Sequence, residues 1–192
     1  MLALLHTSPV HVPVFDALRD EDHLGLELRH FVDEGLLARA RREGPGAVAD
    51  AVGELLAAGA RGGPPVLRVD RPMAAAAVAA GPRVVVLATV ESTLGPTAAL
   101  VEEEGRRAGR PVDVRTVLVD GAWACFEAGD AGGCARLVAA GADAVTGADA
   151  IVLAQASMAP AQRLTTTALP VLSSPRAGLA AAARLARAHL GE

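Results

Sequence analysis

RVVVLATVESTLGPT, residues 83–97, decides the fold class of this chain. The unbroken apolar run Val84 to Ala88 suits a strand covered on both faces, as strands of parallel sheets are. A hydroxyl-rich turn follows, and Ser92 or Thr93 is placed to cap a helix that Pro96 helps to start. A strand running through a polar turn into a helix is the repeating unit of a parallel α/β protein. The N–H groups at such a helix start suit an anion such as a carboxylate.

Outward from this stretch the alternation is regular. Strands are expected at 83–89, 112–119, 150–154 and 169–172, with helices at 95–108 and 133–140. Residues 155–160 form a second polar turn that leads into a short helix. Ser173-Ser174-Pro175 is expected as a capped turn before an Ala-rich helix at 178–190. Crossover helices between strands imply a parallel sheet. Towards the amino terminus, Leu2 to Leu5 reads as a first strand, 13–18 as the opening of a helix and 25–31 as a second strand. Asp33 then caps a helix at 34–42, and another follows at 48–58. Two helices therefore stand in succession before Pro65 to Val69 supplies the next strand, and Asp70 caps a helix running to Ala80. The fold class is α/β, a parallel-sheet three-layer sandwich of two pseudo-symmetric flavodoxin-like lobes with the first lobe shortened. Residues 1–81, completed by 173–192, form the first lobe, and residues 82–172 form the second.

Composition narrows the function. At 192 residues and 52% hydrophobic the chain can bury a sizeable core, and 2% aromatic content makes that core one of Val, Leu and Ala. A formal net charge of -4, without basic residues interleaved with aromatics, argues against a nucleic-acid surface. The pairs Arg41-Arg42 and Arg106-Arg107 read as solvated helix faces. No uncharged apolar run reaches the roughly 18 residues of a membrane span, and Met1 to Leu5 lacks the basic flank of a signal peptide. Cys125 and Cys134 are too few for a disulfide framework and lack metal-ligand spacing, so they read as structural thiols in a reducing cytoplasm, with no metal implied.

Three polar turns follow apolar strands: His6-Thr7-Ser8, Thr89 to Thr93, and Gln155-Ala156-Ser157. In an open parallel sheet such turns gather outside the strand carboxyl ends, where ligands bind. The candidate binding residues are His6, Thr7, Thr89, Ser92, Thr93, Gln155 and Ser157. Each hydroxyl has a second reading as a plain helix cap, and His6 has one as a hydrogen-bonded structural histidine. Glu91 could act as a base if desolvated, and otherwise is a surface carboxylate.

At these residues the chain resembles the aspartate/glutamate/hydantoin racemase superfamily. The similarity is carried by RVDRPMAAAAV (68–78), RVVVLATVESTLGPT (83–97), DAIVLAQASMA (149–159) and PVLSSPRAG (170–178), and more loosely by LLHTSPVHVPVFDAL (4–18) and HFVDEGLL (30–37). The resemblance implies two similar α/β lobes facing one another, with a small carboxylate or amino acid between them and no cofactor. It also implies racemisation in which one base removes the proton alpha to the carboxylate and a second returns one from the other face. In the family that pair is usually two cysteines.

The chain departs from this pattern. A strand ending in a Cys-bearing turn is expected between the 48–58 helix and RVDRPM, but Leu56-Ala57-Ala58-Gly59-Ala60-Arg61-Gly62-Gly63-Pro64-Pro65 bridges that interval. At the second turn, where many members carry another Cys, Gln155 and Ser157 stand instead. Gln is no base, and an unassisted Ser is a poor one. The catalytic residues are thus unassigned, and two readings remain open: a cofactor-independent racemase or isomerase with an atypical base, or an inactive carboxylate-binding relative. An unrelated flavodoxin-like module is a third, without the phosphate-binding glycine pattern. A homodimer is carried as an option on frequency alone.

Overall fold

The computed structural model describes residues 1–35, 42, 66–189 and 191. The chain divides into two units, residues 1–68 with 179–192, and residues 69–178. The helices expected at 34–42 and 48–58 and the bridge at 56–65 lie, apart from residues 34, 35 and 42, outside the described residues. At the start of the first of these helices, Asp33 Oδ1 accepts a hydrogen bond from Gly35 N at 2.9 Å.

Unit 1 opens with strand β1 (Leu2–His6), a 3-10 turn (Pro9–His11), helix α1 (Val12–Asp22) and strand β2 (Leu28–Val32). Pro9 and Pro13 each sit where a helix start needs no N–H. β1 and β2 are parallel, running in register from Leu2 opposite Leu28 to His6 opposite Val32. β2 starts three residues later than expected because Gly25 takes a left-handed turn (φ 85°) that no extended strand contains. Phe15 of α1 is buried.

Unit 2 holds a four-stranded parallel sheet in the order β4-β3-β5-β6, with β3 Arg83–Ala88, β4 Asp113–Leu118, β5 Ala150–Leu153 and β6 Val171–Ser173. The two central strands are buried throughout apart from Arg83, which explains their continuous apolar sequence. Their side chains alternate between two cores. Val84, Val86, Ala150 and Val152 pack with Met73, Ala74, Ala77 and Val78 of helix α2 (Arg71–Ala80) and with Leu100 and Val101 of helix α3 (Leu94–Arg107). Val85, Leu87, Ile151 and Leu153 pack on the other face with Val138, Ala139 and Ala142 of helix α5 (Ala131–Asp143) and with Met158 and Ala161 of the 3-10 helix Ala156–Arg163. Helices thus cover both faces, giving the three-layer α/β sandwich. Helix α2, which the sequence reading assigns to the first lobe, belongs to unit 2 through this packing.

Several elements differ from expectation. Residues 66–69 form no strand. Val69 instead lies against Gly178, where an added Cβ would come within 2.5 Å of the Val69 carbonyl oxygen. An additional short helix, α4 (Ala122–Glu127), lies between Gly121 and Gly129, both at positive φ, with Trp123 and Phe126 stacked 5.4 Å apart. α5 starts two residues before its expected Gly133, because Asp130 caps it by accepting from Gly133 N at 2.7 Å. β6 runs directly into helix α6 (Ser174–His189), so the capped turn expected at 173–175 is the end of that strand and the first helical turn, with Pro175 at a position where its missing N–H costs nothing. Arg106 and Arg107 are exposed on the last turn of α3, as a solvated pair should be. Among the described residues no helix is long and apolar enough to cross a membrane.

The start of β3 is locked to the start of β5. Asp149 Oδ2 accepts from Arg83 N and Nε at 2.9 and 3.1 Å, and Oδ1 accepts from Nη2 at 2.6 Å. Gly81 permits this approach, since a Cβ there would lie 2.5 Å from Asp149 Cβ. Hydrogen bonding by the Arg83 side chain, then by its backbone N–H, holds the Asp149 carboxyl at about 2, below its ordinary value. A depressed folded-state value stabilises the fold above the unfolded value of about 4 and loses that contribution as pH falls through 2. Asp149→Asn should therefore flatten the pH dependence of stability between about pH 4 and 2, read as melting temperature against pH, while wild type declines through that window.

Candidate functional site

The sheet order of unit 2 places a ligand edge by topology alone. From β3 the chain crosses by α3 to β4 on one side, then returns by α4 and α5 to β5 on the other side. The strand order therefore reverses between β3 and β5, and ligands in open parallel sheets bind outside the carboxyl ends of such a strand pair. Thr89 directly follows β3, and Gln155 lies two residues beyond the end of β5. These two candidates are joined: Gln155 Oε1 accepts from Thr89 N at 2.7 Å and from Thr89 Oγ1 at 3.0 Å. Thr89 is buried and Gln155 half-buried. Because the amide oxygen takes both Thr89 donors, the two N–H groups on Gln155 Nε2 are the part of that side chain left for another acceptor.

The other hydroxyls divide differently. Thr93 occupies the position before α3 but does not cap it, since its Oγ1 donates to Val90 O at 2.7 Å and closes the preceding turn. Ser92 also forms no side-chain cap and is exposed in the 3-10 turn Glu91–Thr93. Ser157 is half-buried in the first turn of the 3-10 helix that Gln155 precedes. Thr89, the turn 91–93 and the segment 155–157 thus occupy neighbouring strand ends, with the leading N–H groups of two helical turns beside them. Glu91 is exposed, outside the desolvating surroundings a carboxylate base requires.

The cysteines are elsewhere. Cys134 is buried on α5, and half-buried Cys125 packs against the same core. Burial, with smaller contributions from Cys125 and Asp130, pushes the Cys134 thiol above its ordinary value, which suits a structural thiol. Among the described residues no group of three His, Cys, Asp or Glu is arranged to hold a metal ion.

In unit 1, His6 closes β1 and is buried, and Thr7 follows it half-buried. His6 Nε2 lies 2.8 Å from His30 Nδ1, and His30 Nε2 lies 3.3 Å from Asp16 Oδ1. The His6 ring also faces His11 at 6.0 Å and Phe15 at 5.4 Å. Burial, then the charges of His30 and His11, lower His6 to about 4, with Asp16 acting weakly in the opposite sense. Burial lowers His11 as well. Sequence reading singled out His6 and missed His30 and Asp16. The usable signal was the pairing of two adjacent parallel strands, with His6 closing β1 and His30 at the middle of β2.

The chain matches no protein-family profile, and no curated protein matches it by sequence. Among solved structures it is similar to allantoin racemase from Pseudomonas fluorescens, at 16% identity and a TM-score of 0.52, over 97% of this chain and 91% of that one. At that identity the likeness establishes a shared fold. It is the α/β fold that the resemblance in residues 66–178 implies.

Proposed function

We propose that this chain belongs to the aspartate/glutamate/hydantoin racemase superfamily and binds a small carboxylate, or a cyclic imide of hydantoin type, at the β3/β5 edge. There it moves a proton on the carbon alpha to the carbonyl without a cofactor. The observation that carries this reading is the Gln155–Thr89 tie. It fixes the side-chain amide with its oxygen satisfied and its N–H donors available beside hydroxyls and helix-start N–H groups. Fixed donors of this kind stabilise the negative charge that develops on a carboxylate or imide oxygen when the adjacent carbon loses its proton. The fold shared with an allantoin racemase supports the same reaction class.

A second reading, an inactive carboxylate-binding relative, is favoured by one observation. Both cysteines pack in or against the core of unit 2, so neither supplies the thiol base of the family there. The two readings separate in deuterated water. Proton spectra of L- and D-aspartate, L- and D-glutamate, allantoin and a 5-substituted hydantoin would be followed with and without protein. An active racemase replaces Cα–H by deuterium in at least one of them. Saturable binding without exchange selects the inactive relative, and neither binding nor exchange rejects both.

A further inference from the structure

The two edges of the unit 2 sheet are finished differently. At β6 the outward carbonyl of Val171 accepts from Gln162 Nε2 at 2.6 Å, and Ser173 Oγ donates to Gln162 Oε1 at 2.6 Å. A side chain of the 3-10 helix Ala156–Arg163 thus closes that edge. β4 has β3 on one side and, among the described residues, no strand on the other. Asp113 N donates to Pro82 O and Val119 N to Ala88 O, so the odd-numbered residues of β4 turn their backbone groups toward β3. Val114, Thr116 and Leu118 turn theirs outward, where no hydrogen bond from another described residue reaches them.

Open edges of this kind are usually blunted by a proline, a bulge or a projecting charge. β4 contains no proline, and its register with β3 is unbroken from Asp113 to Leu118. Of its two charged residues, Asp113 stands at the start, and Arg115 is turned back to donate from Nη2 to Thr146 O at 3.1 Å. Thr116 is exposed, and Leu118 keeps 39% of its surface in solvent.

This edge is complementary to itself. In an antiparallel pair, residues with outward groups face one another and exchange two hydrogen bonds. A two-fold axis at Thr116 pairs all three, setting Thr116 opposite Thr116 and each Val114 opposite an exposed Leu118. Thr–Thr and aliphatic pairs are favourable cross-strand neighbours, whereas an axis at Arg115 would oppose two like charges and pair only Val114 with Thr116. The register at Thr116 also brings the exposed Asp120 of one copy opposite Val112 of the other. There a groove is lined by Glu102, Arg106, Pro111 and Val112, with Arg110 exposed beside it, so two arginines against one glutamate favour an incoming carboxylate.

We propose that β4 is a homodimer interface, on which a second copy of this chain adds its own β4 antiparallel about a two-fold axis at Thr116 and joins the two sheets into one. The contact uses the same patch on both copies and therefore closes at two. The capped β6 edge prevents the head-to-tail pairing of β4 on β6 that would build a filament. The interface does not depend on the reaction proposed above.

Sedimentation equilibrium of the full-length protein over a concentration series should give twice the chain mass of 19.4 kDa. Thr116→Pro leaves the β3–β4 ladder intact, because Thr116 N–H points away from β3, and should give a folded monomer with unchanged far-ultraviolet circular dichroism. Asp120→Arg should raise the dimer dissociation constant about tenfold or more, since the change acts at both ends of the strand pair. Thr116→Cys, made together with Cys125→Ser so that no half-buried thiol competes, tests the register whether or not the proline variant folds. A short bis-maleimide should link residue 116 of one copy to residue 116 of the other, as peptide mass mapping would show. Wild type that stays monomeric at every concentration overturns the proposal and leaves the edge to a different occupant. A dimer that persists in Thr116→Pro, or one in which Thr116→Cys does not cross-link, overturns it as well.

Discussion

Ile151→Ala is expected to destabilise the protein by about 2–5 kcal/mol, the range for removing a large aliphatic side chain from a close-packed core. Ile151 is fully buried at the centre of β5, between Val85 of β3 and Val171 of β6. Its side chain joins the core beneath α5 and the 3-10 helix Ala156–Arg163. The strands on either side are held by backbone hydrogen bonds and cannot close in on the space left behind, so the cavity penalty adds to the lost burial. Urea unfolding followed by circular dichroism would measure it. A loss below about 1 kcal/mol would mean that the sheet centre relaxes around the cavity.

Gln155→Leu is the second large effect. It leaves Thr89 N–H and Oγ1–H without their shared acceptor in a buried position, at a cost of roughly 1–3 kcal/mol for the backbone N–H. The hydroxyl can turn toward another acceptor, but the amide cannot. Gln155→Glu separates structure from binding. A carboxylate accepts both Thr89 donors and so preserves the tie, yet it replaces the amide N–H pair by negative charge beside the seat of an anion. Stability should therefore fall in Gln155→Leu and persist in Gln155→Glu, while affinity for a carboxylate falls in both. Retained affinity in Gln155→Glu would show that the Nε2 donors are not part of the site.

The fold was legible where the sequence carries a periodic signal that packing reinforces. Val84 to Ala88 and Ala150 to Leu153 are apolar without interruption, and both are central strands covered on two faces. Residues 66–69 carry the same residue types, yet with Val66 and Val69 exposed they pair with no strand, because β-forming residues make a strand only where a neighbour supplies hydrogen bonds. The start of α6 was misplaced for a local reason: Ser173-Ser174-Pro175 suits a capped turn and equally suits a helix whose second residue is proline.

Site residues were legible one at a time, and their partnerships were not. Gln155 attracted attention as a residue that cannot act as a base, while its role as acceptor for Thr89 exists only because β3 and β5 are neighbours. Thr93 looked like a cap, but its hydroxyl proton goes back to Val90. His30 and Asp16 showed no sequence spacing to His6. They meet it through strand register in one case and the packing of α1 in the other, and neither is written in local sequence.

The binding edge itself is most directly tested by titrating nitrogen-15-labelled protein with aspartate, glutamate and allantoin and following the amide resonances. The expected result is saturable shifts confined to the backbone amides of residues 89–93 and 155–157 and to the Gln155 side-chain amide, with the Val84–Val86 amides unmoved. Saturable shifts centred elsewhere, or none with any of the three ligands, would contradict a carboxylate or imide seat at the β3/β5 edge.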